Sequence, residues 1–255
     1  MDQMPSNVPV PESKPGPAGW VQSWIMAVTK PNENTFVLLT EHPGATSRTA
    51  FIWIFLAGVV SSITSTIVRA IYAAIGSTPQ LPSIPGLESL QQFNQFNQGG
   101  SGSVGVSLLT GICLSPLGGL LAVVFFAIGV AIVQWIAKLF GGVGTFDKLA
   151  YAFAAIAFPF SIFSAVMTLL GAIPYVNYCT GILSFALWIY SIVLQVMAVK
   201  TVNRFGYGQA AGSVFIPGCL VFLLCACVTI GTLSLLGPVI RDAFQNIQQG
   251  LPTTP

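Results

Sequence analysis

The sequence predicts an all-α, polytopic membrane protein with five transmembrane helices and short interfacial amphipathic helices at both ends. Three observations support this fold class. Only 6% of the 255 residues are charged, whereas soluble domains carry about 25%. One helical crossing of a bilayer core about 30 Å thick needs about 20 apolar residues. Five nearly uncharged stretches are long enough, and they cover residues 50–75, 105–139, 149–173, 179–199 and 212–237.

The N-terminal region divides into a tail and a head. Residues 1–17 contain five prolines and no apolar periodicity, which predicts a disordered cytoplasmic tail. In the head, residues 18–47, Trp20 and Trp24 share one helical face, and tryptophan favours the membrane–water interface. A second short helix carrying Phe36 is expected next. We therefore predict an interfacial amphipathic head that lies under the bundle.

The five-helix membrane domain, residues 48–240, has unusual features in its first two spans. Ser62 and Ser65 belong to a hydroxyl run in span 1, which either forms hydrogen bonds within and between helices or lines a pore. Span 2 is too long for a simple crossing, and Pro116 is expected to kink or break it. One tilted helix and a short helix followed by a span both remain open.

Polar and small residues mark the later spans. Pro159 is expected to kink span 3, whose Ala150 and Ala154 have the spacing that lets helices approach closely. Gln134 and Gln195 are the amide side chains inside the predicted spans, and each is expected to form a hydrogen bond between helices. Residues 241–255 continue an amphipathic pattern after Pro238, which predicts a short helix on the outer leaflet.

A glycine-rich turn connects spans 2 and 3. Gly141, Gly142 and Gly144 precede a helix start at Thr145. A helix N-terminus can bind an anion, but Asp147 already occupies the positive end of this helix. A tight turn followed by an N-cap is therefore the preferred interpretation.

The basic residues predict an orientation, because Lys and Arg favour cytoplasmic loops. Seven of the nine lie in the N-terminal segment, loop 2–3 and loop 4–5, which places the N-terminus in the cytoplasm and the C-terminus outside. The seven are Lys14, Lys30, Arg48, Lys138, Lys148, Lys200 and Arg204.

Groups that could perform chemistry are scarce. No Asp, Glu or His lies deep in a span, and the single histidine is His42 in the head. The five cysteines show no CxxC motif and are expected to be small buried apolar residues. The sequence therefore predicts no enzymatic activity, no cofactor, no metal site and no nucleic-acid partner.

The stretch from Ile136 to Pro159 resembles the core of the Yip1 family, prokaryotic branch. It contains the Gly-Gly-Val-Gly-Thr-Phe turn, the Tyr151-Ala pair and a later proline. The segments 24–36 and 198–208 resemble the same family, in the same order. The resemblance implies five helices, a cytoplasmic N-terminus and a bacterial or archaeal cell membrane, without a defined activity. Eukaryotic relatives bind Rab GTPases, but this chain lacks the Asp-Leu-Tyr-Gly-Pro motif that they show.

These observations predict a scaffold or accessory subunit for other membrane proteins, or a protein of membrane organisation, with the lipid bilayer and other membrane proteins as partners. The alternative is a transporter or channel component with a cavity near a broken second span. A third hypothesis is bilayer shaping by the flat helices. The candidate packing or interaction residues are Trp24, Ser62, Ser65, Pro116, Gly141, Gly142, Gly144, Tyr151, Pro159 and Gln195.

Overall fold

The structure, a computed structural model, describes residues 17–75, 104–173 and 176–250. In these ranges the chain forms seven α-helices and no strand. Two short helices, α1 (Pro17–Thr29) and α2 (Glu33–Glu41), precede five long ones, each with a segment long and apolar enough to cross a membrane. The predicted fold class is confirmed. The long helices are α3 (Ser47–Ile75), α4 (Val104–Leu139), α5 (Phe146–Leu170), α6 (Val176–Asn203) and α7 (Tyr207–Gly250).

One end of the bundle, here called the head end, collects α1, α2 and two tight turns. The turn 140–145 joins α4 to α5, and the turn 204–206 joins α6 to α7. Connections this short make the joined helices antiparallel neighbours. The predicted tail up to residue 16 and the loop 76–103 lie outside the described residues.

Helix α5 forms the centre of the bundle in its head-end half. Every residue from Leu149 to Ile156 is buried, and Ala150 and Ala154 have no exposed surface. It packs against α1, α2, α3, α4 and α6. Small side chains let so many neighbours approach, which confirms the predicted close-packing face.

The two head helices bury the faces that their sequences predict. Trp20 and Trp24 pack against the core, and Ala27 is fully buried beside them. In α2, Phe36 has no exposed surface and Leu39 only 3%. The head is therefore docked on the bundle through apolar contacts.

Helix α4 is one continuous helix of 36 residues despite Pro116. Proline cannot donate a backbone hydrogen bond, which leaves the carbonyl of Ile112, four residues earlier, without its usual partner. The hydroxyl of Ser115 donates to that carbonyl at 2.7 Å. The neighbouring serine thus replaces the missing bond, and of the two alternatives the unbroken helix is correct. Pro159 likewise lies inside the continuous helix α5.

Glycines bring α3 and α4 into direct backbone contact. A Cβ atom at Gly119 would lie 2.9 Å from the carbonyl oxygen of Phe55, and one at Gly118 would lie 2.1 Å from Oγ of Ser62. Real Cβ atoms essentially never approach so closely. The crossing therefore depends on the absence of side chains at these positions, as is common between membrane helices.

The C-terminal segment differs from the prediction of a separate outer helix. Helix α7 continues through Pro238 to Gly250, so the expected boundary at 240–241 falls inside one helix. A proline removes one backbone hydrogen bond, but membrane helices tolerate it because other groups can satisfy the freed carbonyl.

The cysteine prediction was wrong. All five cysteines are free and exposed, and they lie on the long helices rather than in the core. The outer surface of a membrane span faces lipid, which accepts weakly polar thiols as readily as a protein core does. The five are Cys113, Cys179, Cys219, Cys225 and Cys227.

The α3–α4 crossing generates a stability prediction. Gly119→Ala should destabilise the protein by about 1–3 kcal/mol, because the added methyl must push two backbones apart. Gly129→Ala on the same helix is the matched control, because its Cβ would meet no atom within 4 Å. That variant should be neutral or slightly stabilising, since alanine favours helices. Unfolding in bicelles measures both, and equal effects would contradict the predicted contact.

Candidate functional site

The amide of Asn203, at the end of α6, is the centre of a buried polar network at the head end. Asn203 is 1% exposed and Gln134 of α4 is 4% exposed. Oδ1 of Asn203 accepts hydrogen bonds from Nε2 of Gln134 at 3.1 Å and from the backbone N–H of Gly144 at 3.2 Å. Gln134 Nε2 also donates to the Gly144 carbonyl at 2.7 Å. The network joins α4, α6 and the turn before α5.

The glycine-rich turn is shaped to fit around Asn203. A Cβ at Gly142 or Gly144 would lie 2.6 or 2.7 Å from Oδ1 of Asn203. Gly141 has φ +86°, a left-handed conformation that favours glycine. The N–H of Gly144 binds a side chain of the chain itself, which supports the turn interpretation over an anion site. Thr145 occupies the N-cap position of α5 without a side-chain capping bond.

An aromatic cluster joins α1 to the spans. The Trp24 ring stacks on Phe158 with centroids 4.1 Å apart and meets Trp53 of α3 edge-on at 5.4 Å. Tyr151 packs against Trp53 at 4.9 Å, and its hydroxyl lies 3.5 Å from Oγ of Ser23. Trp24 and Tyr151, both predicted interaction residues, therefore belong to one packing cluster, with Pro159 next to Phe158 on α5.

Charged groups hold α2 against α6 and α7. The ammonium of Lys200 forms an ion pair with Glu33 and lies 3.6 Å from the centre of the Tyr207 ring. The Tyr207 hydroxyl donates to the same carboxylate at 2.8 Å. These hydrogen bonds, first from Lys200 and then from Tyr207, hold the pKa of Glu33 below its ordinary value of 4.5. The carboxylate is thus ionised at neutral pH and fastens the head to the bundle.

The two serines of α3 that were predicted as interaction residues lie in different surroundings. Ser62 faces Gly118 in the α3–α4 crossing. Pro116 lies two residues before Gly118 in α4. Ser65 is exposed, and its hydroxyl donates to the Ser61 carbonyl of its own helix at 2.9 Å. Back-bonding of this kind satisfies a hydroxyl on a membrane helix without a partner or water.

Gln195 occupies a different place from every other predicted site residue. It lines an open groove of about 760 Å³ between α6 and α7, with Trp188, Gly218, Cys219 and Phe222 among its neighbours. Nearby hydroxyls, such as those of Ser191 and Thr201, donate to carbonyls of their own helix. The Gln195 amide is only partly buried and forms no hydrogen bond with the described residues. The prediction that it pairs two helices of this chain is therefore not supported, whereas Gln134 forms such a bond.

The groove belongs to the least packed face of the bundle. Ala210 and Ser213 near the start of α7 are buried, but no residue of α7 beyond Ser213 whose burial is described is buried. An added Cβ at Gly218 would meet nothing within 4 Å. The α7 backbone is thus open to close approach from the outside at this point.

Several contacts of the site were not selected from the sequence. Asn203 appeared only as part of a family motif, and Glu33, Lys200 and Trp53 were not selected as site residues. Asn203 donates to the Val199 carbonyl of its own helix, but its partners Gly144 and Gln134 lie 59 and 69 residues away, and no local pattern identifies those bonds. The only sequence feature that pointed to the ion pair was a basic residue, Lys200, at the end of an apolar span, together with the acidic residues of the short helix α2.

Comparison with protein families agrees with the layout of the helices and turns. The Yip1 domain model matches residues 26–229, most of the chain. The chain belongs to the Yip1 family. Neither a curated protein nor a solved structure matches it. The matched range of this Yip1 protein contains α2, the glycine-rich turn, Asn203 and the groove, so all of them lie within the family domain. In the described residues no three His, Cys, Asp or Glu side chains come together as metal ligands.

The Asn203 network generates a second prediction. Asn203→Leu should destabilise the protein by about 2–4 kcal/mol, because it leaves the Gly144 N–H buried without an acceptor and removes one of the two acceptors of the Gln134 amide. Asn34→Leu is the control, since Asn34 is exposed on α2. Unfolding followed by tryptophan fluorescence in bicelles compares the two. A loss no larger than that of the control would show that the network contributes little.

The Glu33 ion pair predicts a pH dependence. Because the pKa of Glu33 is lower in the folded protein than in the unfolded chain, its contribution is complete above pH 4.5 and is lost as the pH falls through the lowered value. The wild type should therefore be more stable than Glu33→Gln at pH 7, and the difference should shrink in acid. Thermal unfolding at several pH values measures this.

Glu41→Gln is the matched control for that experiment, because Glu41 only approaches Arg204 at 4.0 Å with both side chains largely exposed. Its difference from the wild type should be small at every pH. A Glu33→Gln difference that stays constant down to pH 3 would contradict an ionised, bonded carboxylate.

Proposed function

We propose that this Yip1 protein is a non-enzymatic scaffold or accessory subunit that binds a transmembrane helix of another membrane protein in the groove between α6 and α7. The Gln195 amide, which forms no hydrogen bond with the described residues, carries this proposal. An amide inside hydrocarbon without a hydrogen-bond partner costs free energy, and a polar side chain on a second helix removes that cost.

The position of Gln195 supports a partner within the membrane. It lies five residues before Lys200, about 8 Å along the helix axis on the apolar side. Gly218 opposite it allows a second backbone to approach closely, as small residues do at membrane-helix contacts. Trp188 and Phe222, which are 58% and 72% exposed, add apolar surface at the edge of the groove.

The separate positions of the residues that suggested a transport pathway support a binding role over a transport role. Ser62 lies opposite Gly118 at the α3–α4 crossing, Pro116 is an exposed residue of α4, and Gln195 faces the α6–α7 groove. These residues motivated a transport pathway, but they do not line a common cavity. The transporter alternative is therefore not favoured by the geometry.

We place the head end in the cytoplasm and the outer end of α7 outside, in a cell membrane. Support comes from the positive-inside tendency. Six of the described basic residues lie at the head end, on the head helices, at the turns or at the adjoining helix ends. Arg69 lies near the opposite end of α3. The head-end set is Lys30, Arg48, Lys138, Lys148, Lys200 and Arg204.

Purification from native membranes in a mild detergent tests the proposal. Wild-type protein should bring down a defined membrane protein, and Gln195→Leu should recover at least about fivefold less of it, since an interhelical amide contributes about 1–2 kcal/mol. Val193→Leu is the control, because Val193 lies on the same helix and is 48% exposed but does not line the groove. Recovery only as a lone monomer under several gentle conditions, or equal recovery with Gln195→Leu, would contradict the proposal.

A further inference from the structure

We propose that α1 is embedded among the acyl chains of the leaflet at the head end, where it widens the protein on one side of the membrane and makes it favour a convex head-side leaflet. The proposal concerns the lipid surface rather than the partner groove. Two observations support it. The first is the set of span residues that α1 contacts, and the second is the distance of these residues from the ends of their helices.

Helix α1 runs across the bundle instead of along it. Its contacts fall on three different spans within nine residues of α1. Trp20 meets Trp53 of α3 with centroids 6.0 Å apart, and Trp24 stacks on Phe158 of α5. The Val28 carbonyl accepts a hydrogen bond from Tyr190 of α6 at 2.7 Å. A helix that touches three upright neighbours in turn lies roughly in the membrane plane.

The depth of α1 follows from charged residues on the same spans, because such residues mark the edge of the hydrocarbon. Phe158 lies ten residues beyond Lys148, and Tyr190 lies ten residues before Lys200. At 1.5 Å per residue, these two contacts are about 15 Å inside their charged markers, whereas Trp53, which contacts Trp20 and lies five residues beyond Arg48, is about 8 Å inside. Half of the hydrocarbon core is also about 15 Å. The long side chains of Lys148 and Lys200 can shift the position of the hydrocarbon edge by several ångströms. With that shift included, α1 still lies inside the head-side leaflet.

The composition of α1 suits that depth. Its 13 residues contain no charged side chain, and at about 20 Å the helix is too short to span the bilayer. Val21 and Ile25 project away from the bundle and are 46% and 55% exposed. The exposed Thr29 hydroxyl donates to the Ile25 carbonyl at 2.7 Å, so it is satisfied without water. Gln22, the one exposed amide of α1, lies in its first half. Acyl chains are the surroundings that Val21 and Ile25 fit.

A leaflet-embedded α1 changes the shape of the protein in the membrane. In the head-side leaflet the cross-section contains the five spans and α1, whereas α1 does not reach the opposite leaflet. The inclusion is therefore wider at the head end. Helices inserted on one side of a bilayer respond to membrane curvature. A protein of this shape should concentrate where the head-side leaflet is convex.

The depth of α1 is the first test. A spin label at Ile25→Cys, in a variant with the five native cysteines replaced by alanine, is measured in proteoliposomes for collisions with oxygen and with a water-soluble nickel complex. Ile182→Cys, on the 75% exposed position of α6, provides the lipid reference, and Glu41→Cys provides the water reference. We expect the Ile25 label to resemble the lipid reference. A label that resembles the water reference would overturn the proposal.

A charge at the same position gives an independent measurement. Ile25→Asp should lower the midpoint temperature of unfolding in bicelles, because it places a carboxylate among acyl chains. Leu38→Asp on α2, at a position 40% exposed, should lower it less, since α2 lies beside the charged Lys200. Equal small shifts for both variants would overturn the embedding.

Membrane tethers pulled from giant vesicles test the consequence for shape. A labelled antibody fragment against an N-terminal tag selects molecules whose head end faces outward, and their density in the tether is compared with that in the vesicle. We expect enrichment of about twofold or more for the full chain. A chain that lacks residues 1–29 should lose this enrichment if the shortened protein folds. If the shortened protein does not fold, the spin-label depth measurement decides whether α1 is embedded. Equal density of the full chain in tether and vesicle would overturn the shape effect.

Discussion

The buried carboxamide of Asn203 is the interaction on which the head end depends. It fills the space that Gly142 and Gly144 leave free, and it accepts hydrogen bonds from the turn and from Gln134 of α4. An amide buried in a membrane protein is stable only when its partners are present. The glycines, the glutamine and the asparagine therefore require one another. Once α6 ends there, Lys200 is placed one turn earlier, where it can reach Glu33 of the head.

The polar groups near the two ends of α6 and α7 differ in how many hydrogen bonds they form. At the head end the Asn203 network satisfies the turn before α5, although the indole N–H groups of Trp24 and Trp53 are buried without a hydrogen-bond partner in the described residues. Further along, Gln195 has no partner in the described residues, and α7 beyond Ser213 lies open. Proteins rarely leave a polar group unpaired in hydrocarbon without a use. The contrast supports the proposal that the open face binds a partner within the membrane.

The elements that local pattern determines were predictable from the sequence. Five apolar stretches, the buried face of α1 with Trp24, and a second helix carrying Phe36 all follow from composition and helical spacing. The family resemblance was also correct. The features that the sequence did not predict depend on contacts between distant segments. Nothing near Asn203 indicates that Gly144, 59 residues earlier, would bind it.

Hydropathy also cannot separate lipid-facing from core-facing positions, because both are apolar. For that reason the cysteines were wrongly expected to be buried, and Gln195 was expected to pair inside the chain as Gln134 does. The continuous α7 was also missed, because Pro238 and the glycine before it have the appearance of a helix boundary, whereas the helix continues through them.

The most direct measurement of the central claim is photo-crosslinking from the groove in native membranes. A photoreactive amino acid at Gly218, where a side chain meets open space, is compared with one at Gly129, an open position on α4. We expect a discrete protein adduct from position 218 that is absent from position 129 and is lost when Gln195 is replaced by leucine. Lipid adducts alone from both positions would contradict it.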